Sequence, residues 1–93
     1  MDPQDLKAVV VGAGWAGEGH TKALQHCGVE VVAICARRQE IVGKVASNLG
    51  IAIASTDWRQ TLMEVKPDIV ALATPAILRT PVIELAVQLG AHL

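Results

Sequence analysis

The stretch that decides the fold reads VVVGAGWAG and runs from Val9 to Gly17. It begins as a β-branched apolar run that ends at Gly12, and a segment with helical apolar spacing follows it. β-Branched residues favour strands, and the change of period marks the start of a helix. The glycines have the spacing GxGxxG, with Gly14 in the middle. Because the motif lies between a strand and a helix, it predicts a loop that binds the diphosphate of a dinucleotide.

Each glycine of this loop has its own predicted task. Gly12 permits the tight turn out of the strand, and Gly14 lets the backbone approach the pyrophosphate without a Cβ in the way. Gly17 allows the helix to pack closely on the strand. Trp15 and Ala16 are predicted to bind the cofactor because the helix N-terminus faces the diphosphate, where the helix dipole favours negative charge. The Trp15 side chain could shield the cofactor or simply lie on the surface.

Outward from this loop, strand and helix patterns alternate along the chain. Strands are predicted at 6–11, 29–35, 51–54 and 69–73, and helices at 16–27, 39–49, 58–65 and 80–89. The last helix is predicted to start at Thr80-Pro81, because Thr is a good N-cap and Pro is favoured at the first helical position. His92-Leu93 would begin a fifth strand. The expected architecture is α/β: a parallel, doubly wound Rossmann-type sheet of four strands plus the start of a fifth, with helices on both faces.

Several single residues carry further predictions. Asp57 is expected to cap the third helix, with Gln60 completing a capping box. His20 is expected to pack on the inner face of the first helix. Cys27 and Cys35 lack the spacing of a metal or redox site and lie in apolar surroundings, so both are expected to be buried free thiols.

The end of the second strand is expected to select the cofactor. A site for NAD usually has an acidic residue there, which hydrogen-bonds the ribose 2′-hydroxyl. This chain has Ala36, followed by Arg37 and Arg38, while Glu30 lies at the other end of the strand. Without a carboxylate, a 2′-phosphate is not repelled, and an arginine can bind it through charge-assisted hydrogen bonds. NADP is therefore the predicted cofactor, and NAD remains possible; a solvated basic pair at a helix start is the alternative interpretation.

Composition excludes several classes of function. The 93 residues carry a net charge of −1 and no basic run, which argues against a nucleic-acid surface. No apolar stretch reaches the roughly 18 to 20 residues of a membrane span. The N-terminus is acidic and lacks the basic region of a secretory signal. A cytoplasmic protein with no metal site is expected.

At this point the sequence resembles the opening of the Gfo/Idh/MocA oxidoreductases, which have an N-terminal NAD(P)-binding Rossmann domain. The resemblance rests on an ordered set of landmarks: the segment from Ala8 to His20, Asp57-Trp58, the segment from Lys66 to Val70, and Ala73-Thr74-Pro75. It covers nearly the whole chain. In that family the Thr-Pro pair lines the cofactor cleft, which implies that Thr74 and Pro75 bind the cofactor; an ordinary strand-ending turn is the alternative.

Two departures from the family pattern limit what can be assigned. The family often has a His a few residues beyond the Thr-Pro pair, where this chain has Arg79. The family's catalytic Lys belongs to a Glu-Lys-Pro motif after the fifth strand, beyond Leu93, so no catalytic residue is predicted here. Residues 1–93 are expected to form an incomplete N-terminal dinucleotide-binding domain. The substrate domain, and usually the subunit interface that makes the full-length protein a homo-oligomer, would lie beyond it.

The leading functional prediction is therefore the cofactor-binding part of an NADP-dependent oxidoreductase acting on a small molecule: a sugar, polyol or related carbonyl compound. A nucleotide-binding sensor without catalysis remains the alternative. A methyltransferase site for S-adenosylmethionine would also require an acidic residue at the end of the second strand, and Ala36 counts against it. A Glu-Lys-Pro motif and a second α/β domain after Leu93 would favour the enzyme over the sensor.

Overall fold

A computed structural model of the chain describes residues 6–12, 15–73 and 76–92, and of residues 15–16 and 76–79 it describes the backbone alone. The elements are β1 (Lys7–Val11), α1 (Trp15–His26), β2 (Glu30–Cys35), α2 (Gln39–Leu49), β3 (Ile53–Ser55), α3 (Trp58–Val65), β4 (Ile69–Leu72) and α4 (Ala76–Gln88). All described strands are parallel, in the order β3-β2-β1-β4. His92 forms a parallel bridge with Ile69 on the open side of β4, where the fifth strand was expected to begin. The predicted Rossmann-type sheet is confirmed.

The sheet separates two aliphatic cores, because strand side chains alternate between its faces. On one face, Val10 and Ile34 pack with the α2 residues Val42 and Ala46. On the other face lies a second cluster of buried residues, which comprises Val9, Val11, Ala33, Cys35, Leu62, Val70, Val82 and Ala86. The second cluster includes residues of α3 and α4. Helices therefore cover both faces of the sheet, as the doubly wound pattern requires.

Asp68 joins the starts of the strands at the amino edge of the sheet. Its carboxylate accepts a hydrogen bond from the Lys7 backbone N–H at 3.0 Å. Its own N–H donates to the Lys7 carbonyl at 2.8 Å, and its carbonyl accepts from the His92 N–H at 2.7 Å. Asp68 thus connects the starts of β1, β4 and the fifth strand through three hydrogen bonds.

The predicted start of α4 is wrong. The helix begins at Ala76, and Pro81 lies inside it. Pro81 has no N–H, so the helix lacks the hydrogen bond that this residue would donate to the carbonyl of Ile77. The residues before Thr80 include the good helix formers Ala76, Leu78 and Arg79. The helix therefore begins upstream of Pro81 and accommodates the proline near its N-terminal end.

Two predictions for α1 are also wrong, namely that His20 packs on its inner face and that Cys27 is buried. Gly17 and Thr21 are buried, whereas His20, Ala23 and Cys27 are exposed. The exposed residues line one side of an open groove of about 500 Å³, and β4 residues 69–72 line the other. The apolar spacing that suggested an inner face therefore belongs to a groove that no described element covers. His20 does not pack in the core, and Cys27 is not buried.

Smaller differences concern the third strand and the third helix. The turn after α2 includes Ile51, whose N–H donates to the Ala46 carbonyl at 2.9 Å, so β3 begins at Ile53 rather than at the predicted residue 51. Asp57 caps α3 by accepting from the Gln60 N–H at 3.0 Å. The reciprocal half of the capping box does not form, because the Gln60 side chain donates to Glu64 instead.

Candidate dinucleotide site

The candidate site lies at the carboxyl edge of the sheet, where β1, β2, β3 and β4 all end. The chain leaves β1 for α1 on one face, and it leaves β4 for α4 on the other. Such a reversal between adjacent parallel strands opens a crevice, and open α/β sheets bind their ligands there. The loop after β1, with the GxGxxG motif, borders this crevice.

Gly12 begins the loop in a conformation that few other residues adopt. Its φ is +119°, outside the regions open to L-residues with a Cβ. Its N–H donates to the Cys35 carbonyl at 2.6 Å, which ties the loop to the end of β2. A Cβ at Gly12 would lie 2.5 Å from the Ala73 carbonyl oxygen. Both the backbone conformation and the available space therefore require glycine.

Gly17 brings α1 against the loop. A Cβ built on Gly17 would overlap the backbone carbonyl of Gly12. Its own carbonyl accepts a hydrogen bond from the buried Thr21 hydroxyl at 2.8 Å. The close packing predicted for the third motif glycine is present, and the first turn of α1 is held beside the end of β1. The backbone segments at Gly12 and Gly17 therefore lie in direct contact, as the turn from strand to helix in a dinucleotide-binding loop requires.

The other residues predicted at this loop are described only in part. Gly14, Thr74 and Pro75 lie outside the described residues, as do the side chains of Trp15 and Ala16. The backbone of Trp15 and Ala16 forms the beginning of α1. The Ala73 N–H donates to the Val11 carbonyl at 2.9 Å, so the residue before Thr74 lies beside the end of β1.

The segment predicted to select the cofactor follows β2 at the same edge. Ala36 is held by a hydrogen bond from its N–H to the Ser55 carbonyl at 3.0 Å. Arg37 and Arg38 are exposed, and Arg38 is the N-cap of α2, with no capping hydrogen bond from its side chain. A guanidinium has no acceptor and cannot cap an N-terminus. The Arg38 side chain is therefore no partner for the first N–H groups of α2.

Sequence reasoning missed the contribution of α3 to this edge. Trp58 packs against the cluster that contains Val11 and Cys35, which end β1 and β2. The Arg59 guanidinium carbon lies 4.7 Å from the centroid of the Trp58 ring, a cation–π arrangement. Trp58 and Arg59 follow the end of β3 by only a few residues, and this position was the sequence signal that could have revealed the contribution of α3.

The Cys35 thiol links the end of β2 to the first turn of α3. Burial raises its pKa from 9.0 to about 11, a hydrogen bond with the Thr61 side chain acts in the opposite direction, and the charge of Asp57 raises the pKa further. The Thr61 hydroxyl also bonds the Asp57 carbonyl, at 2.9 Å. Cys35 is therefore a neutral, buried thiol near pH 7, as predicted for this cysteine.

The described residues contain no group of three or more His, Cys, Asp or Glu side chains that could hold a metal ion. Within the same part of the chain, no helix is both long enough and apolar enough to cross a membrane.

The one ion pair found among the described side chains joins Lys22 and Glu18 on α1. None of the exposed arginines at the carboxyl edge is therefore neutralised by a described carboxylate.

The sequence matches a family profile, that of the Gfo/Idh/MocA oxidoreductases with an NAD-binding Rossmann fold, over residues 6–93. The chain belongs to this family. The sequence motifs between Ala8 and Pro75 predicted membership of this family, and the profile match confirms that prediction. Comparison with curated protein sequences finds no match.

Solved structures share the fold of this Gfo/Idh/MocA domain. Myo-inositol 2-dehydrogenase from Lactobacillus plantarum has a TM-score of 0.84 and 24% identity, over 92% of this chain and 26% of its own. Scyllo-inositol dehydrogenase from Lactobacillus casei, with bound NAD(H) and scyllo-inositol, has a TM-score of 0.82 and 22% identity, over 94% and 26%. An oxidoreductase from Agrobacterium radiobacter, in complex with NAD+, L-tartaric acid and magnesium, has a TM-score of 0.84 and 23% identity, over 92% and 25%. The chain thus spans about a quarter of their length.

Proposed function

We propose that the chain is the dinucleotide-binding part of an NAD(P)-dependent oxidoreductase that acts on a sugar, a polyol or a related carbonyl compound. The observation that carries the proposal is the packing of α1 on the loop after β1, where Gly17 leaves no room for a Cβ beside Gly12. Family membership and the inositol dehydrogenase structures support the reaction and substrate classes.

In this proposal the backbone at Gly12, Gly14, Trp15, Ala16 and Gly17 holds the diphosphate. The amides that open α1 favour negative charge there because of the helix dipole. Thr74 and Pro75 line the cleft on the β4 side. When bound, the nicotinamide accepts or gives up a hydride, and the residues of this chain hold and orient the cofactor.

We further propose that NADP is preferred over NAD. Ala36 leaves the end of β2 without a carboxylate, and Arg37 and Arg38 are exposed directly beyond it. The uncapped start of α2 adds backbone N–H groups that can donate to a phosphate. A charge-assisted hydrogen bond contributes about 1.5 to 3 kcal/mol, or roughly 10- to 150-fold in affinity.

The remaining parts of the proposal concern the whole protein. We propose that the whole protein has a substrate domain, catalytic groups and the surface of a homo-oligomer outside residues 1–93, and that it is cytoplasmic. The 93-residue chain by itself is expected to bind the cofactor weakly and to have no dehydrogenase activity.

Cofactor titration tests the proposed preference. We expect calorimetry to give tighter binding for NADP than for NAD with the unmodified chain. In the double variant Arg37→Ala, Arg38→Ala the affinity for NADP should fall by about 10-fold or more, with little change for NAD.

The matched control is the double variant Lys22→Ala, Lys44→Ala, which removes the same charge from exposed residues in the middle of α1 and α2. It should leave the NADP-to-NAD ratio unchanged. An unchanged ratio in the arginine variant would refute the assignment of Arg37 and Arg38. Absence of binding by both dinucleotides would refute the proposed cofactor function itself.

A further inference from the structure

A third arginine lies at the same edge of the sheet as Arg37 and Arg38. Arg59 is the second residue of α3, and only two residues lie between the end of β3 at Ser55 and the start of α3 at Trp58. Because β3 is parallel to its neighbours, the start of α3 lies at the carboxyl edge. Arg59 is exposed, so its charge is available to a ligand.

Several contacts fasten the start of α3 to the end of β2. The Ala36 N–H donates to the Ser55 carbonyl at 3.0 Å. The Thr61 hydroxyl donates to the Asp57 carbonyl at 2.9 Å, and both residues are close enough to Cys35 to affect the pKa of its thiol. Arg37 follows Cys35 by two residues, so their Cα atoms are at most about 7 Å apart. The first turn of α3 and the arginine pair therefore border one corner of the crevice.

Trp58 gives Arg59 a defined position. The ring is half-buried against the cluster of Val11 and Cys35, and the guanidinium lies over it at 4.7 Å. A cation–π contact at an exposed site restricts a long side chain without neutralising its charge. The guanidinium thus keeps its donors for a further partner.

Two acidic groups, Asp57 and Glu64, line a groove together with Arg59, but neither forms an ion pair with it. The Asp57 carboxylate accepts the Gln60 N–H as the cap of α3, and Glu64 accepts from the Gln60 side chain. Glu40 lies in the first turn of α2. No described carboxylate pairs with Arg37, Arg38 or Arg59, since the one described ion pair lies on α1. Three guanidinium groups without a described ion-pair partner thus follow the ends of β2 and β3, and they favour an anionic ligand.

We propose that Arg59, positioned by Trp58, is a further specificity-determining residue and contributes to binding the 2′-phosphate of the adenosine ribose. The inference rests on the proposed NADP site and extends it from the loop after β2 to the first turn of α3. The guanidinium would approach the phosphate from the face of the sheet opposite α2, so that the anion is held from two sides.

The test compares two small probes, adenosine 2′,5′-bisphosphate and AMP, which differ by the 2′-phosphate. In Arg59→Gln we expect the affinity for the bisphosphate to fall by about 10-fold or more, with less than about a twofold change for AMP. Arg59→Lys should recover part of the loss, because it restores the charge but not the planar donor geometry.

Lys7→Gln is the control, since it removes the same charge at the opposite edge of the sheet and should change neither affinity. Unchanged bisphosphate binding in Arg59→Gln, or an equal loss for both probes, would overturn the role of Arg59. If Arg37→Ala, Arg38→Ala loses bisphosphate affinity while Arg59→Gln does not, only this inference fails. If the unmodified chain binds the bisphosphate no better than AMP, the proposed preference for NADP fails, and the role of Arg59 fails with it.

Discussion

The two edges of the sheet use glycine for different reasons. At the carboxyl edge, a Cβ on Gly12 or Gly17 would overlap backbone atoms. At the amino edge, Gly50 and Gly90 have φ values of +71° and +76°, but a Cβ there would meet nothing within 4 Å. Conformation alone selects glycine at the amino edge, whereas close packing of backbone on backbone selects it at the carboxyl edge, together with the conformation in the case of Gly12. Substitution of a glycine is therefore less well tolerated at the carboxyl edge, which borders the crevice, than at the amino edge.

The largest effect is expected at Gly17. Alanine is the better helix former, but its Cβ would overlap the Gly12 carbonyl, and two backbone segments would have to separate. Overpacking of this kind costs about 3 kcal/mol at the upper end of its usual range, so Gly17→Ala should lower the free energy of unfolding by about that amount. Chemical denaturation followed by circular dichroism measures it.

Gly19→Ala is the matched control, on the same helix and with nothing within 4 Å of its Cβ. We expect this variant to be more stable by about 0.5 to 1 kcal/mol, because alanine restricts the unfolded chain and favours helix. If Gly17→Ala and Gly19→Ala gave the same change, the packing of α1 on the loop would not be as close as described.

A smaller effect at the carboxyl edge depends on pH. Burial keeps the Cys35 thiol protonated in the folded protein up to a pKa of about 11, whereas the unfolded chain ionises it above its ordinary value of 9.0. Between these two values the unfolded state binds fewer protons, so the free energy of unfolding falls as the pH rises. The expected loss across this window is about 2 to 3 kcal/mol, and below it the thiol adds no pH dependence.

Cys35→Ala isolates that contribution. The variant will be less stable near pH 7 because it loses a buried sulfur atom, but its stability should fall less steeply between pH 9 and 11. Denaturation curves at several pH values for both proteins give the two slopes. Equal slopes would contradict a buried, neutral thiol at the end of β2.

Elements with clear local signals were predicted well from sequence. The bounds of α2 match the prediction, because Gly50 ends the helix in a left-handed conformation that the sequence makes explicit. The cap at Asp57 is equally local. Pro81 misled the prediction, since a proline near the start of a helix does not reveal whether the helix begins at it or a few residues before it.

The candidate site was predictable only as far as its signals were local. Gly12 and Gly17 form the tight turn and the close contact expected of them. Thr21, by contrast, is a buried polar residue whose hydroxyl is satisfied by the Gly17 carbonyl, and no apolar pattern reveals that partner. The packing of α3 beside the end of β2 depends on sheet order and on contacts between distant residues. Such contacts follow from tertiary packing, and the spacing of residues does not encode them.

The smallest effect is expected at the amino edge. In Gly50→Ala the left-handed conformation should cost about 1 kcal/mol of stability, with no clash to add to it. Gly50→Asn should cost less, because asparagine tolerates this conformation. Thermal unfolding of both variants, compared with Gly17→Ala, measures the difference between the edges. A loss at Gly50 as large as that at Gly17 would mean that space, too, is limited at the amino edge.

The central position of β1 has a consequence for how the chain acquires its structure. β1 is synthesised before the other strands, yet it lies between β2 and β4 and is buried on both faces. Its contact with β4 joins residues 61 positions apart, as in the bond between Lys7 and Asp68. Contacts so distant in sequence raise the contact order and slow folding. The edge of β1 that pairs with β4 therefore stays unpaired until β4 has left the ribosome, and during that interval the nascent chain is most exposed to aggregation.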